Sequence, residues 1–464
     1  MTQALSTPAP KSPQEPAPPP SQSRLRAFLS RAPVVFWLMF AINAVNYLDR
    51  MLAVAFGPTL KAEFQLHDRE IGLLSSAFLL VYTLSTVPLG LLADRVRRAR
   101  VVAVGVAVWS LASGASAFVR TFPQLFATRA AVGIGEASYY PAGTALLSRY
   151  FPMRERARVM GRWGAGQLVG IALAFGLAAL MTIWLAPSVA WRVAFFCAAV
   201  PGLALAILIW HVNDAPAGKV EETSIYAHAA PPIGAHEGAF SDAWARIRTV
   251  LSIRTIWLII ALQAMMFITA TPAITFLPIY VRSKHGPFHL HEGATALIVG
   301  LIIIVGGFSG QVLGGNLADW LSLRVRGGRV LVASIGYGLA LPFFILMLLT
   351  HSLPLFLITG AIAVFAITLP AGPLTAAAQD ATPDTLRATA VAVTLLLSHL
   401  LGDVWAPSAV GSIATALHER EGMALLTVGV PTLAIAAVLG YVGSRIYARE
   451  VQAAPAPTKP DARV

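Results

Sequence analysis

The chain has 464 residues, 56% of them hydrophobic and only 12% charged, with a mean hydropathy of +0.69. A soluble domain carries about 25% charged residues, so a water-soluble globule of this composition could not cover its surface, whereas the length suits about a dozen membrane-crossing helices of about 20 apolar residues each. The single cysteine, Cys197, excludes an intrachain disulfide framework and a CxxC metal or redox site. The net charge of +12 would suit nucleic acid, but the cations cluster in short loops between apolar runs, which is the pattern of membrane orientation, and no nucleic-acid partner is expected.

Residues 1–30 form a Pro-rich polar tail with no apolar segment leading to a small-residue cleavage site, so no signal peptide is expected and the tail reads as disordered. Twelve apolar helices follow, predicted over 33–57, 69–93, 99–119, 122–148, 157–185, 189–211, 254–281, 292–318, 328–350, 353–379, 386–416 and 422–446. The organisation read from them is a six-helix bundle over 31–211, a central loop over 212–253, a second six-helix bundle over 254–447 and a disordered tail over 448–464. The end of the central loop, Ser241 to Arg254, has the spacing of a short amphipathic surface helix (Phe240, Trp244, Ile247, Val250, Leu251). With both tails and the central loop on one side, that side holds 24 Lys and Arg against 6 in the opposite loops, so both termini are expected in the cytoplasm.

The sequence carries an internal echo. Gly90-Leu91-Leu92-Ala93-Asp94 ends the second helix and Gly315-Asn316-Leu317-Ala318-Asp319 ends the eighth; Pro152-x-x-x-Arg156-Ala157 and Pro383-x-x-x-Arg387-Ala388 follow the fourth and tenth. Two matches at equivalent places argue for two six-helix repeats, the architecture of rocking transporters with a binding site between the halves. The expected fold class is therefore an all-α membrane protein with two bundles related by a pseudo-two-fold axis.

A charge in hydrocarbon costs roughly 3 kcal/mol or more, so each intramembrane charge is a candidate for function. The first helix carries Asn43, Asn46, Tyr47, Asp49 and Arg50; the fourth carries Arg129, Gly133, Glu136 and Tyr140 on one face. Counting rise per residue from the predicted helix starts puts Asp49 and Arg129 at nearly one depth, so they are expected to pair; Glu136 falls about 10 Å away with no cation at its level, and a partly unpaired carboxyl there suits proton exchange. Asp49 and Glu136 are thus the candidate proton-coupling residues, with Arg50, Arg129, Asn46, Tyr47 and Tyr140 as candidate substrate contacts. In the eleventh helix His399 and Asp403 lie one turn apart and are expected to hydrogen-bond; as a satisfied polar pair or as a substrate contact, the two readings weigh equally. No metal-ligand cluster accompanies them, and neither a metal nor another cofactor is expected. The seventh helix (Met265, Met266, Phe267, Thr271, Thr275) and the tenth (Phe365, Thr368, Pro370) carry no interior charge. If they face the cavity, one wall is charged and the other apolar, which suits an amphiphile. Gly166-x-x-x-Gly170 in the fifth helix permits close backbone contact.

Asp94-Arg95-Val96-Arg97-Arg98 resembles the loop G-x-x-x-D-R-x-G-R-[RK] of the major facilitator superfamily, with Arg97 where that pattern has Gly; the second copy is degenerate, with Trp320 after Asp319. The resemblance implies a gate on the cytoplasmic side, with Asp94, Arg95, Arg98, Asp319, Arg156 and Arg387 as candidate gating residues. Asn46-Tyr47-Leu48-Asp49-Arg50, Gly133-Ile134-Gly135-Glu136-Ala137 with Arg129 upstream, and Arg387-Ala388-Thr389-Ala390 followed by His399-Leu400-Leu401-Gly402-Asp403 and Pro407 resemble the spinster-like branch of that superfamily. Over roughly residues 35–447 this implies the major facilitator fold, alternating access and a lipid or lysolipid substrate, with Asp49, Arg50, Arg129 and Glu136 at the positions linked to protonation and headgroup binding.

The function expected is proton-coupled transport of an amphipathic molecule (a lysolipid, sphingolipid-like or related lipid) by a monomer in a bacterial inner membrane, with protons and membrane lipids as its other partners. A proton-linked carrier of a small organic or sugar acid, using Arg50 and Arg129 on a carboxylate, and an exporter of hydrophobic drugs are the alternatives. A lipid-acting enzyme would need a nucleophile–base pair or metal cluster near a membrane face, and the sequence offers neither.

Overall fold

The computed structural model describes residues 24–453 apart from 152, 215–238, 284–285, 289 and 384–385. The tails and most of the central loop lie outside the described residues. Every element in the described part is helical. The first half comprises α1 (Arg24–Leu29), α2 (Ala32–Ala55), α3 (Gly57–Glu63), α4 (Asp68–Arg95), α5 (Arg98–Ser116), α6 (Phe122–Tyr150), α7 (Met153–Trp184) and α8 (Pro187–Trp210). Then come α9 (Ala239–Leu251), α10 (Arg254–Arg282), α11 (Glu292–Ser322), α12 (Gly328–Leu349), α13 (Leu353–Thr368), α14 (Ala371–Asp380), α15 (Arg387–Leu401), α16 (Ala406–Ala416) and α17 (Glu421–Ala453).

Counting α13 with α14 and α15 with α16 as single crossings, twelve helices span the fold in two bundles of six. Ten are apolar enough along their length to cross a membrane by composition. The other two, α4 and α6, are equally long but carry the polar and charged residues of the interior. Within the first bundle α2 packs on α7, α5 on α6 and α8, and α4 on α6; in the second, α12 packs on α13 and α17, α11 on α13, and α10 on α17.

Two predicted helices are broken. The tenth stops at Thr368 and resumes at Ala371 after Pro370, which has no N–H to continue the ladder. The eleventh stops at Leu401 and resumes at Ala406, with Gly402 at φ −105°, ψ −91° and Pro407 in the first turn of the new segment. The first helix ends at Ala55, and a separate turn, α3, begins at Gly57-Pro58, where the proline suits a helix start. Apolar runs alone hide all three interruptions, because Pro and Gly do not lower the hydropathy enough to divide a span.

Gly170 is where backbone approach matters most inside the first bundle. A Cβ there would stand 2.2 Å from the Ala44 carbonyl oxygen and 2.7 Å from Tyr47 Cβ, so α7 lies on α2 only because the side chain is absent. Gly170→Val is expected to cost about 1–3 kcal/mol as overpacking, read as a lower unfolding temperature of the full chain in detergent micelles, while Gly164→Val, at a site with nothing within 4 Å, leaves it unchanged.

The bundles meet at one end, the end bearing α3. There Gly72 of α4 faces the Pro407 carbonyl, Gly411 of α16 faces the Asp68 carbonyl, and Gly300 of α11 seats on Phe175 of α7. Ser408 N–H donates to Ser76 Oγ (3.1 Å) and Arg69 N–H to Thr415 Oγ1 (3.1 Å). Charged contacts cross the same seam. Thr59 donates to Glu292, which also pairs with Arg282 at 3.4 Å. Lys61 Nζ lies 2.5 Å from Asp68 and Glu419 and 3.2 Å from Glu421. Burial alone would lower the Lys61 ammonium, but hydrogen bonds to Asp68 and Glu419 and the charges of Asp68 and Glu421 outweigh it and push it up to about 12. Its raised value means that Lys61 stays charged, and holds the seam, throughout the neutral pH range. At the other end Gly161, Gly164 and Gly315 have nothing within 4 Å. Among the described residues the fold is therefore closed at the α3 end and parted at the end bearing the described chain termini.

Candidate functional site

Between the bundles lies a cavity of about 320 Å³. From the first bundle it is lined by Tyr47, Arg50, Met51, Leu74, Phe78, Arg129 and Gln167, and from the second by Met266, Phe267, Ile274, Ile303, Gln311, His399 and Asp403. One wall thus presents two guanidinium groups. The facing wall is mostly apolar, with one polar pair.

Arg50 is the hub of the charged wall. Its Nη2 and Nε donate to the same Glu136 oxygen at 2.7 and 3.2 Å. Its guanidinium also lies over the rings of Tyr47 (5.2 Å), Phe78 (4.9 Å) and Tyr82 (5.1 Å), so α2 and α4 together build an aromatic cradle for the cation. The Arg50 side chain keeps 21% exposure while Glu136 keeps none. The guanidinium therefore stands between the carboxylate and the cavity. Gly133 makes this approach possible, since a Cβ there would reach to 2.9 Å from the Phe78 carbonyl and hold α6 away from α4.

Glu136 thus has the cation that the depth count denied it. Helix α6 has 29 residues, about 43 Å at 1.5 Å each. It overhangs a hydrocarbon core of about 30 Å, so counting from its first residue places Glu136 too far from α2's charges, and the long Arg50 side chain closes the remaining distance. The other Glu136 oxygen, Oε1, is buried beside the side chain of Asn46.

The expected pairing of Asp49 with Arg129 takes a different form. Asp49 accepts from Ser113 Oγ at 2.7 Å. Arg129 donates to Ser116 Oγ at 2.9 Å and approaches the Asp49 main-chain carbonyl at 3.5 Å, with its guanidinium over Phe195 (4.8 Å). Two serines of α5, invisible to a search for charges, intercept the two ions. Asp49 is fully buried and Arg129 nearly so, yet Arg129 still reaches the cavity lining.

Of the residues expected to touch substrate, Tyr47, Arg50, Arg129, His399 and Asp403 line the cavity. Asn46 is buried behind it, and Tyr140 turns to stack on Trp163 (5.2 Å, 20°), whose indole is itself held by Tyr139 and the Met39 carbonyl. His399 Nδ1 lies 2.8 Å from Asp403 Oδ2, as the one-turn spacing expects, and its ring stacks on Phe267 at 4.2 Å. Among the helix-seven residues, Met266, Phe267, Thr271 and Thr275 face the cavity, whereas Gln263 is buried in a hydrogen bond with Ser398. Gln167 and Gln311, one from each bundle, complete the polar lining; neither carries a charge, so neither stood out in the sequence.

The side chains of Asp94, Arg95 and Arg156 lie outside the described residues. Asp319 and Arg387 are exposed at the parted end, and Arg387 Nε donates to the Gln379 carbonyl at 3.2 Å. Among the described residues, two further carboxylates anchor this end. Asp214 accepts from the main-chain N–H groups of Arg98 (2.8 Å) and Ala99 (3.1 Å) at the start of α5, an N-terminal anchoring that suits a negative charge. Asp380 pairs with Arg329 and accepts from Tyr447 Oη at 2.8 Å.

The sequence pattern of the Major Facilitator Superfamily matches residues 38–407. The chain is 30% identical over 300 residues to a probable L-galactonate transporter of Escherichia coli (strain K12), a match covering 64% of this chain and 63% of that one. It is 25% identical over 389 residues to protein spinster of Drosophila melanogaster, covering 82% and 61%. These matches span less than two thirds of either relative's length. Among solved structures, the fold is similar to a bacterial homolog of the human lysosomal transporter spinster in an inward-facing, unoccupied conformation, with a TM-score of 0.73 and 20% identity over 93% of this chain and 98% of that one. The chain belongs to the major facilitator superfamily and is similar to its spinster members.

Proposed function

We propose that the protein is a proton-coupled transporter of amphipathic molecules with an anionic headgroup, working by alternating access. The observation that carries this reading is the contrast between the cavity walls: Arg50 and Arg129 on one side, Met266, Phe267, Ile274 and Ile303 on the other. An anionic head is matched by the guanidinium groups and a hydrocarbon chain by the apolar wall. The positive-inside charge count supports cytoplasmic termini, which makes the parted end cytoplasmic and the α3 end external.

The coupling follows from the shared cation. With Glu136 ionised, Arg50 is committed to it. A proton on Glu136 removes that claim and frees Arg50 for a substrate anion; loss of the proton draws Arg50 back to the carboxylate and displaces the anion. Proton and anion therefore bind with mutual preference, which by linkage drives co-transport in the same direction. Anion affinity is expected to rise as pH falls, and each bound anion takes up close to one proton.

The test is uptake into proteoliposomes under an imposed pH gradient, with a lysophospholipid and with galactonate as substrates. The wild type is expected to accumulate the lysolipid, and Glu136→Gln to equilibrate it without accumulation while binding it with an affinity indifferent to pH. Gradient-driven accumulation that survives Glu136→Gln removes Glu136 from the mechanism. Accumulation of galactonate alone favours a second reading, a proton-linked sugar-acid carrier, which is supported by the similarity to the galactonate transporter and by the same arginine pair acting on a carboxylate.

A further inference from the structure

We propose that Asp68, Glu419 and Glu421, at the closed end, form a binding site for one hard divalent cation of the calcium or magnesium kind, which fastens the two bundles together. The site is separate from the central cavity and goes beyond the transport reading; only its placement on the external side rests on that reading.

The three carboxylates come from both halves of the molecule. Asp68 is the first residue of α4, Glu421 the first of α17, and Glu419 lies in the turn before it. One oxygen from each lies within 4.8 Å of the other two. Lys61 touches all three, but one ammonium against three clustered carboxyl groups leaves the site short of positive charge. His67 Nδ1, 3.3 Å from Glu419 Oε1, is on the exposed rim.

The buried atoms say what is missing. Asp68 and Glu421 are fully buried, and Asp68 Oδ2 and Glu421 Oε2 have no hydrogen-bond partner. Lys61 engages the other oxygen of each, Asp68 Oδ1 and Glu421 Oε1. An uncompensated buried carboxylate oxygen is costly. A single divalent ion supplies the missing positive charge and offers a partner to the free oxygens. The donors are all oxygen, which selects hard ions over zinc or copper. An entry path exists: a vestibule of about 1050 Å³ opens at this end and is lined by Lys61, His67, Arg282, Glu419 and Glu421. The charge balance and the free oxygens emerge only from the folded cluster, which is why no metal site is expected from the sequence.

Because its ligands come from both bundles, the ion binds only while this end is shut. It therefore favours the closed state, and its release accompanies opening.

The experiment is calorimetric titration of the purified full chain, stripped with EDTA and held at constant ionic strength, with Ca²⁺, Mg²⁺ and Na⁺ in separate arms. The expected result is one saturable divalent site per chain with a Kd of about 10⁻⁴–10⁻³ M, the range of sites facing an extracellular medium. Calcium, magnesium or both filling it supports the proposal. Glu421→Gln and the less buried Glu419→Gln should each weaken binding at least tenfold, while Asp319→Asn at the opposite end retains it. No saturable divalent binding by the wild type, binding of Na⁺ only, or undiminished affinity in both Gln variants overturns the site. None of these outcomes depends on which molecule is transported.

Discussion

Arg50→Ala is expected to abolish anion binding and to destabilise the first bundle by about 3 kcal/mol, the lower part of the range for breaking a buried ion pair. The lower part applies because the Arg50 side chain is partly exposed while Glu136 is not. The loss comes chiefly from Glu136, left buried with neither its cation nor water, and only secondarily from the vacated cradle of Tyr47, Phe78 and Tyr82. It should shrink in acid, where a protonated Glu136 needs no cation. The double variant Arg50→Ala, Glu136→Gln should be more stable than Arg50→Ala alone, because no charge is stranded. Unfolding temperatures of the three proteins in micelles at pH 5 and pH 8 decide the matter; a double variant less stable than either single change would mean that the pair is not the dominant interaction. Arg50→Lys should not rescue binding, since an ammonium cannot donate twice in the plane and stack on the rings as the guanidinium does.

The second large effect is conformational. Gly72→Leu would place a Cβ 2.2 Å from the Pro407 carbonyl oxygen, 2.8 Å from its carbon and 2.9 Å from Ser408 Cα. All three are backbone atoms and cannot turn aside. Unlike Gly170, which packs two helices of one bundle, Gly72 lies at the seam between bundles. The clash is relieved by parting them rather than by unfolding either. A penalty of about 1–3 kcal/mol on the closed arrangement shifts the open-to-closed ratio at this end by roughly five- to 150-fold. Spin labels at Ser188 and Ser283, one from each bundle on the vestibule wall, in a Cys197→Ser background, should report a longer distance in Gly72→Leu than in wild type, with unfolding temperature little changed. An unchanged distance with a lower unfolding temperature would show that the seam does not yield as a unit.

Much of the scaffold was readable from hydropathy, because each crossing needs its own apolar run and the paired G-x-L-A-D and P-x-x-x-R-A segments mark the repeat. The charged residues at and just behind the cavity were also readable: Arg50, Arg129, Glu136 and His399 stand out because charge in hydrocarbon is rare. Their partners were not. Glu136 meets Arg50 across 86 positions and Asp49 meets Ser113 across 64, and depth counted along idealised helices cannot resolve which of several close polar groups is met. Phe78, Tyr82, Gln167 and Gln311 were silent because aromatic and amide side chains are ordinary in packed helices. The Lys61 cluster joins positions about 360 apart, and each of its members, taken singly, reads as an external loop charge.

The two interruptions near Pro370 and Gly402 both fall in the second bundle. The second of them separates α15 from α16 at the place where Asp403 sits, and His399 reaches across from the last turn of α15 to hold it at 2.8 Å. A side-chain clasp that straddles a flexure ties the bend angle to whatever touches the clasp. On the proposed mechanism, cargo arriving against Phe267 and His399 is felt as a change of posture in that arm, while the arm opposite carries the exchange of ions.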